Sequence, residues 1–245
     1  MKQASKFKWM IKDVFNVFVA TFLIEFTLFL ILQIFNIGGI VSSVSEIPFL
    51  KGFLLFLVYL LQVAGMIIPL WYFVIRKYGS TIEDFSFEWI GSLKTLLFVL
   101  ASYIFYIGLS IFIIMLFSIL NIDLFGFEPT TSLFDVFGRD ISGFTFAFVI
   151  AVVIAPFVEE LFFRGFVLQT LAKKISPFWG VFLTALIFAS VHFEFQSIMP
   201  LLILSVVLNV LYIKTKSIWP GIVFHIMNNS IAFIILILIE GGILI

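Results

Sequence analysis

TLLFVLASYIFYIGLSIFIIMLFSIL, residues 95–120, runs for 26 positions without an acid, a lysine, an arginine or a histidine. About 20 apolar helical residues cross a hydrocarbon core roughly 30 Å thick. The stretch is therefore read as a membrane span, and that decides the fold class. Comparable runs lie on both sides of it, at 14–35, 53–75, 143–172, 177–194, 197–213 and 218–239. The breaks carry turn residues: Gly38-Gly39, Pro48, Gly79-Ser80, Pro129, Ser176-Pro177, Pro200 and Pro220. Pro200 suits the first turn of its helix. The expected fold class is all-α: a polytopic transmembrane helix bundle of seven spans, with its functional residues inside the bundle. The count becomes eight if residues 218–245 form two shorter pieces broken near Asn228-Asn229-Ser230. No internal repeat is visible, and residues 1–245 are expected to form a single membrane domain.

Composition agrees. Of 245 residues, 63% are hydrophobic and only 11% are charged, against about 25% charged in a soluble domain. The formal net charge is zero, which argues against nucleic acid as a partner. Cysteine is absent, which removes disulfides, thiolate nucleophiles and cysteine metal sites. Lys2, Lys6, Lys8 and Lys12 precede the first run, but no small-residue cleavage site follows it, so it reads as an uncleaved span. With a cytoplasmic N-terminus, the inside segments 1–13, 76–94, 173–176 and 214–217 hold 11 of the 14 basic residues. The outside segments hold only Lys51 and Arg139, and that bias predicts a multi-pass cell-membrane protein with its N-terminus in the cytoplasm. Trp9, Trp71, Trp89, Trp179 and Trp219 fall near the same interface, as an aromatic belt does.

Acids inside spans are costly, at about 2.5–3.5 kcal/mol or more each. Three occur: Glu25, Glu159 and Glu160. Glu25 stands alone and reads as a helix-contact residue. Glu159 and Glu160 are adjacent and repel if both ionise, so one of them needs a partner. Arg164 lies four residues after Glu160 on the same helix face and supplies it. Glu159 then points about 100° away, free for chemistry. The two histidines of the chain, His192 and His225, also lie in apolar spans. Asn229 follows His225 at i, i+4, one turn along the same face. Polar groups in lipid tend to face the bundle interior and meet there. A transporter path or a non-proteolytic scaffold could also use such a set.

Helix arithmetic brings these residues level. Glu159 lies about 21 Å along its helix from Lys173, and His192 about 22 Å from Pro177. His225 and Asn229 lie about 12 and 18 Å beyond Ser217.

Three motifs now stand in order: Glu159-Glu160-Leu-Phe-Phe-Arg164 (EExxxR), Phe188 to His192 (FxxxH) and His225 to Asn229 (HxxxN). Together they resemble the CPBP family of intramembrane proteases, which holds Rce1-type CAAX prenyl endopeptidases and bacteriocin-processing Abi proteins. The resemblance covers a motif core of about 140–232. It implies peptide-bond hydrolysis near a membrane interface. Glu159, Glu160, His192, His225 and Asn229 would be the catalytic set, with Arg164 and Phe188 in support. Two mechanisms fit. In one, Glu159 activates a water also held by His192, while His225 and Asn229 face the oxyanion. In the other, Glu159, His192 and His225 bind zinc. The expected substrate is a hydrophobic or amphipathic peptide of leader, pheromone or bacteriocin type. The basic loops would draw it to an anionic leaflet of the lipid bilayer.

Overall fold

The computed structural model describes residues 8–122, 133–193 and 197–240. Lys2, Lys6 and the expected turn at Pro129 lie outside them. In chain order the helices are α1 (Ile11–Ile34), α2 (Ile37–Ser43), α3 (Pro48–Leu70), α4 (Ser92–Ile119), α5 (Leu133–Phe137), α6 (Ile141–Phe148), α7 (Ala155–Glu159), α8 (Gln169–Lys174), α9 (Pro177–Val191), α10 (Ile198–Thr215) and α11 (Trp219–Glu240). Wider π turns occupy Trp71–Arg76, Val149–Ile154 and Glu160–Leu168. No strand occurs among the described residues.

Among the described residues, six rods are long and apolar enough to cross a membrane: Ile11–Ile34, Pro48–Arg76, Ser92–Ile119, Ile141–Lys174, Ile198–Thr215 and Trp219–Ile239. The Pro177–Val191 helix is apolar but shorter. This is a multi-pass helical membrane protein, and each expected span finds its helix within a few residues. The last one runs unbroken through Asn228, Asn229 and Ser230, which leaves no break there for the eight-span alternative. Backbone hydrogen bonding decides this, because asparagine costs little in a helix whose ladder stays complete.

The described chain falls into two compact units. Residues 1–81, 131–158 and 226–245 form one, and residues 82–130 and 159–225 form the other.

In the first unit, Asp140 starts α6. Its Oδ1 accepts the Ser142 and Gly143 N–H groups at 2.9 and 3.0 Å, and the Ser142 hydroxyl as well. These bonds, the Ser142 hydroxyl first, hold the Asp140 carboxyl below its usual range. Gly143 is required at this turn, because a Cβ there would stand 2.6 Å from the Gly138 carbonyl. The core gathers Phe134, Phe137, Ala147, Ile150, Val152 and Phe233. Pro69 lies two residues before the Trp71–Arg76 π turn. Pro156 lies just after the Val149–Ile154 one. Proline donates no N–H and crowds the carbonyl one turn back, and a widened turn is one way a helix absorbs that defect.

In the second unit, Ser176 and Pro177 start α9. The Ser176 hydroxyl accepts the Trp179 N–H at 3.2 Å, and Pro177 takes the first helical position, where its missing donor costs nothing. A Cβ on Gly180 would stand 2.7 Å from the Ala172 nitrogen, so glycine lets α9 pack directly on α8. The loop before α4 is held by its carbonyls. Gln169 donates to Asp84 O at 3.0 Å, Ser217 to Glu88 O at 2.6 Å and Trp219 to Phe87 O at 3.1 Å. The π turn Glu160–Leu168 is buried along nearly its whole length, while α4 turns Leu93, Leu97, Ile104, Phe105 and Phe112 outward, as a lipid-facing helix does.

Candidate active site

Arg164 anchors the site. It is fully buried, and each arm of its guanidinium is used. Nη1 donates to Glu160 Oε1 at 2.7 Å, Nε to Asn209 Oδ1 at 3.0 Å and Nη2 to Ser205 Oγ at 3.0 Å. The Phe188 ring lies 4.8 Å from its central carbon. Asn209 is itself fixed, donating from Nδ2 to Val181 O at 3.0 Å. A buried charge is tolerable only when paired and fully hydrogen-bonded, and this one is. The expected Glu160–Arg164 pairing is present.

Ser205 and Asn209 were missed in the sequence. The signal was there: two polar residues at i, i+4 within an apolar span, the same pattern that drew attention to His225 and Asn229.

Glu160 Oε1 also faces His225. The two atoms are 3.1 Å apart, so the Nδ1–H of His225 donates to the carboxylate. Its other oxygen, Oε2, is buried with no hydrogen-bond partner among the described residues. A Cβ at Gly221 would approach that oxygen to 2.7 Å. Gly221 thus lets α11 come close enough for His225, one turn later, to reach Glu160.

His192 is held differently. It is the C-cap of α9, where the last carbonyls of a helix lack donors. Its Nδ1–H donates to Phe188 O at 2.6 Å, closing one of those positions and fixing the ring. Phe193 follows with φ +54° and ends the helix. The expected span to residue 194 therefore stops at Val191. Phe188 packs its ring between the groups it separates, 5.0 Å from Phe163, 4.6 Å from His192 and 6.3 Å from His225.

With both Nδ1 atoms engaged, both Nε2 atoms are left for Glu159. Glu159 Oε2 lies 4.0 Å from His192 Nε2 and 3.9 Å from His225 Nε2. Burial is graded across the site: the side chain of His192 is 26% exposed and that of Glu159 21%, while those of His225 and Glu160 are 4% and 0%. Glu159, Glu160, Arg164, Phe188, His192 and His225 are all in the second unit. Asn229 belongs to the first, where its Nδ2–H donates to Ala151 O at 2.8 Å. Glu25, also in the first unit, makes none of these contacts.

Two imidazoles and a carboxylate are donors that zinc accepts. Tetrahedral zinc at about 2.0–2.1 Å spaces its donors roughly 3.3–3.5 Å apart. The separations here are wider, and no group of three such side chains among the described residues is placed to hold a metal ion. As spaced, the residues do not fit the ion.

Residues 141–231 match the family model described as type II CAAX prenyl endopeptidase Rce1-like. A curated relative is the "Putative membrane peptidase YdiL" of Bacillus subtilis (strain 168). It is 28% identical over 113 residues, which are 46% of this chain and 44% of that protein. The match thus spans less than half the length of that relative. No solved structure matches. The class is that of multi-pass helical membrane proteins with a buried carboxylate–imidazole centre. The similarity to the Rce1-like family is confined to residues 141–231, the stretch that holds the three motifs.

Proposed function

We propose that this protein is an intramembrane endopeptidase of the cell membrane, with Glu159 as its general base. One observation carries the reading. Glu159 Oε2 lies 3.9–4.0 Å from two imidazole Nε2 atoms, too far for direct hydrogen bonds. Polar groups at that separation are commonly bridged by water, and one water about 2.8 Å from each spans the gap at nearly a right angle.

The hydrogen bonds support a role for each residue. His192 donates from Nδ1 to a carbonyl, so its neutral Nε2 accepts. A water between it and Glu159 directs one hydrogen to each and its lone pair to the substrate. Glu159 takes a proton as oxygen attacks the scissile carbonyl carbon, and later returns it to the leaving amide nitrogen. His225 has its Nδ1–H committed to Glu160. Its Nε2 is the group we assign to the developing oxyanion. Glu160 and Arg164 hold His225 and do not react. Asn229 anchors the Ala151 carbonyl of its own unit.

The Rce1-like match and the name of the Bacillus relative support a peptidase. The substrate class we assign is a hydrophobic or amphipathic membrane-associated peptide, of leader, pheromone or bacteriocin type. The test compares membrane-associated peptides, by mass spectrometry, in cells carrying wild type or Glu159→Gln. Precursors should accumulate with the variant, and unchanged processing would remove Glu159 as the base. Full activity after exhaustive chelation is expected; loss restored by zinc would replace the water mechanism with a metal one.

A further inference from the structure

The first unit carries a second polar feature, well removed in sequence from the three motifs. A cleft of about 380 Å³ is lined by Asn16 of α1 and by Tyr72, Phe73, Arg76 and Lys77 at the end of the α3 rod. The rod Pro48–Arg76 has 29 residues, about 43 Å of helix. A hydrocarbon core is about 30 Å thick, and about 40–45 Å with its headgroups. A rod of that length reaches headgroup depth at its ends. α1 begins beside it, because Asp13 bonds Lys77 at 2.5 Å and Tyr78 at 2.7 Å.

Charge in the cleft is unevenly spent. Asp13 is fully buried and accepts from Lys77, Tyr78 and the Met10 N–H, which neutralises Lys77. Arg76 makes no hydrogen bond or ion pair among the described residues. Its guanidinium is instead poised by two rings, 5.9 Å from the Trp71 centroid and 5.6 Å from that of Tyr72. The Asn16 amide also has no hydrogen-bond partner among the described residues. The cleft therefore combines one uncompensated, exposed cation, one unpartnered amide, and a wall formed by the Phe73 and Tyr72 rings. One negative charge balances it, and an apolar continuation suits it.

We infer that the Asn16–Tyr72–Arg76 cleft binds the phosphodiester headgroup of an anionic membrane lipid. A phosphodiester brings a single charge with oxygens that accept from guanidinium and amide together. Its glyceride chains continue along the apolar wall. A zwitterionic lipid adds a choline cation beside Arg76 and is disfavoured.

The experiment titrates phosphatidylglycerol or phosphatidylcholine into delipidated protein in neutral detergent and counts bound lipids by native mass spectrometry. Wild type should retain phosphatidylglycerol in preference. Arg76→Gln should weaken it about fivefold, the loss expected for one basic contact with an anionic lipid surface. Lys12→Gln removes an equal charge from the same end of α1 but outside the cleft, and should change binding less than twofold. Inorganic phosphate at tens of millimolar should not displace the lipid. Equal retention of both lipids, an unchanged Arg76→Gln, a Lys12→Gln as weak as Arg76→Gln, or displacement by inorganic phosphate would each overturn the assignment.

Discussion

Two glutamates within membrane-length helices, one in each unit, lie against a glycine of a neighbouring helix. Glu25 of α1 meets Gly65 of α3, where a Cβ would come within 2.1 Å of its Oε1. Glu160 meets Gly221 of α11, where the same test gives 2.7 Å to Oε2. Each has that oxygen buried without a hydrogen-bond partner among the described residues. The difference is in what else they touch. Glu160 Oε1 receives Arg164 and His225, and behind Arg164 are Ser205 and Asn209. Glu25 has no such set among the described residues. A carboxylate in a span thus gains a function from the donors converging on it rather than from its depth. Close glycine packing alone serves helix contact equally well.

The largest effects should break the Glu160 side of the comparison. Glu159→Gln, His192→Ala and His225→Ala should each reduce peptide cleavage by roughly 10²–10⁴-fold while membrane insertion, followed by fractionation, is unchanged. Arg164→Met leaves Glu160 buried with one donor fewer, and should cost about 3–5 kcal/mol in a detergent unfolding titration. Gly221→Ala should cost about 1–3 kcal/mol by overpacking and lower cleavage as well, because it displaces Glu160 from His225. Gly65→Ala should destabilise comparably with cleavage per folded molecule unchanged. The smallest effect belongs to Glu25→Gln, expected to lie within about 0.5 kcal/mol of wild type with full cleavage. A cleavage defect in Glu25→Gln would erase the distinction between the two glutamates.

Much of the fold was legible because apolar runs set helix length directly. The motif residues were legible because each is expensive where it stands. The Glu160–Arg164 pair follows from i, i+4 spacing alone. Other features are cooperative, and their role shows only once the helices pack. Ser205 and Asn209 matter only once α10 packs beside Arg164. The π turns depend on how the helix absorbs Pro69 and Pro156, not merely on their presence. Asp13 and Trp9 sit in the segment 1–13, read for its basic residues and interfacial position, yet both are buried, Trp9 donating to Ser80 Oγ at 2.9 Å. Lys77, counted among the basic residues of a loop, is tied to Asp13, and that hydrogen bond holds its ammonium above the usual lysine range.

The α9 helix that carries His192 has 15 residues and rises only about 22 Å. A segment shorter than the hydrocarbon core is accommodated by local thinning of the bilayer. Each bond hydrolysed consumes a water molecule. For the proposed hydrolysis, a bilayer thinned beside this short helix would shorten the path of water to the Glu159 carboxylate.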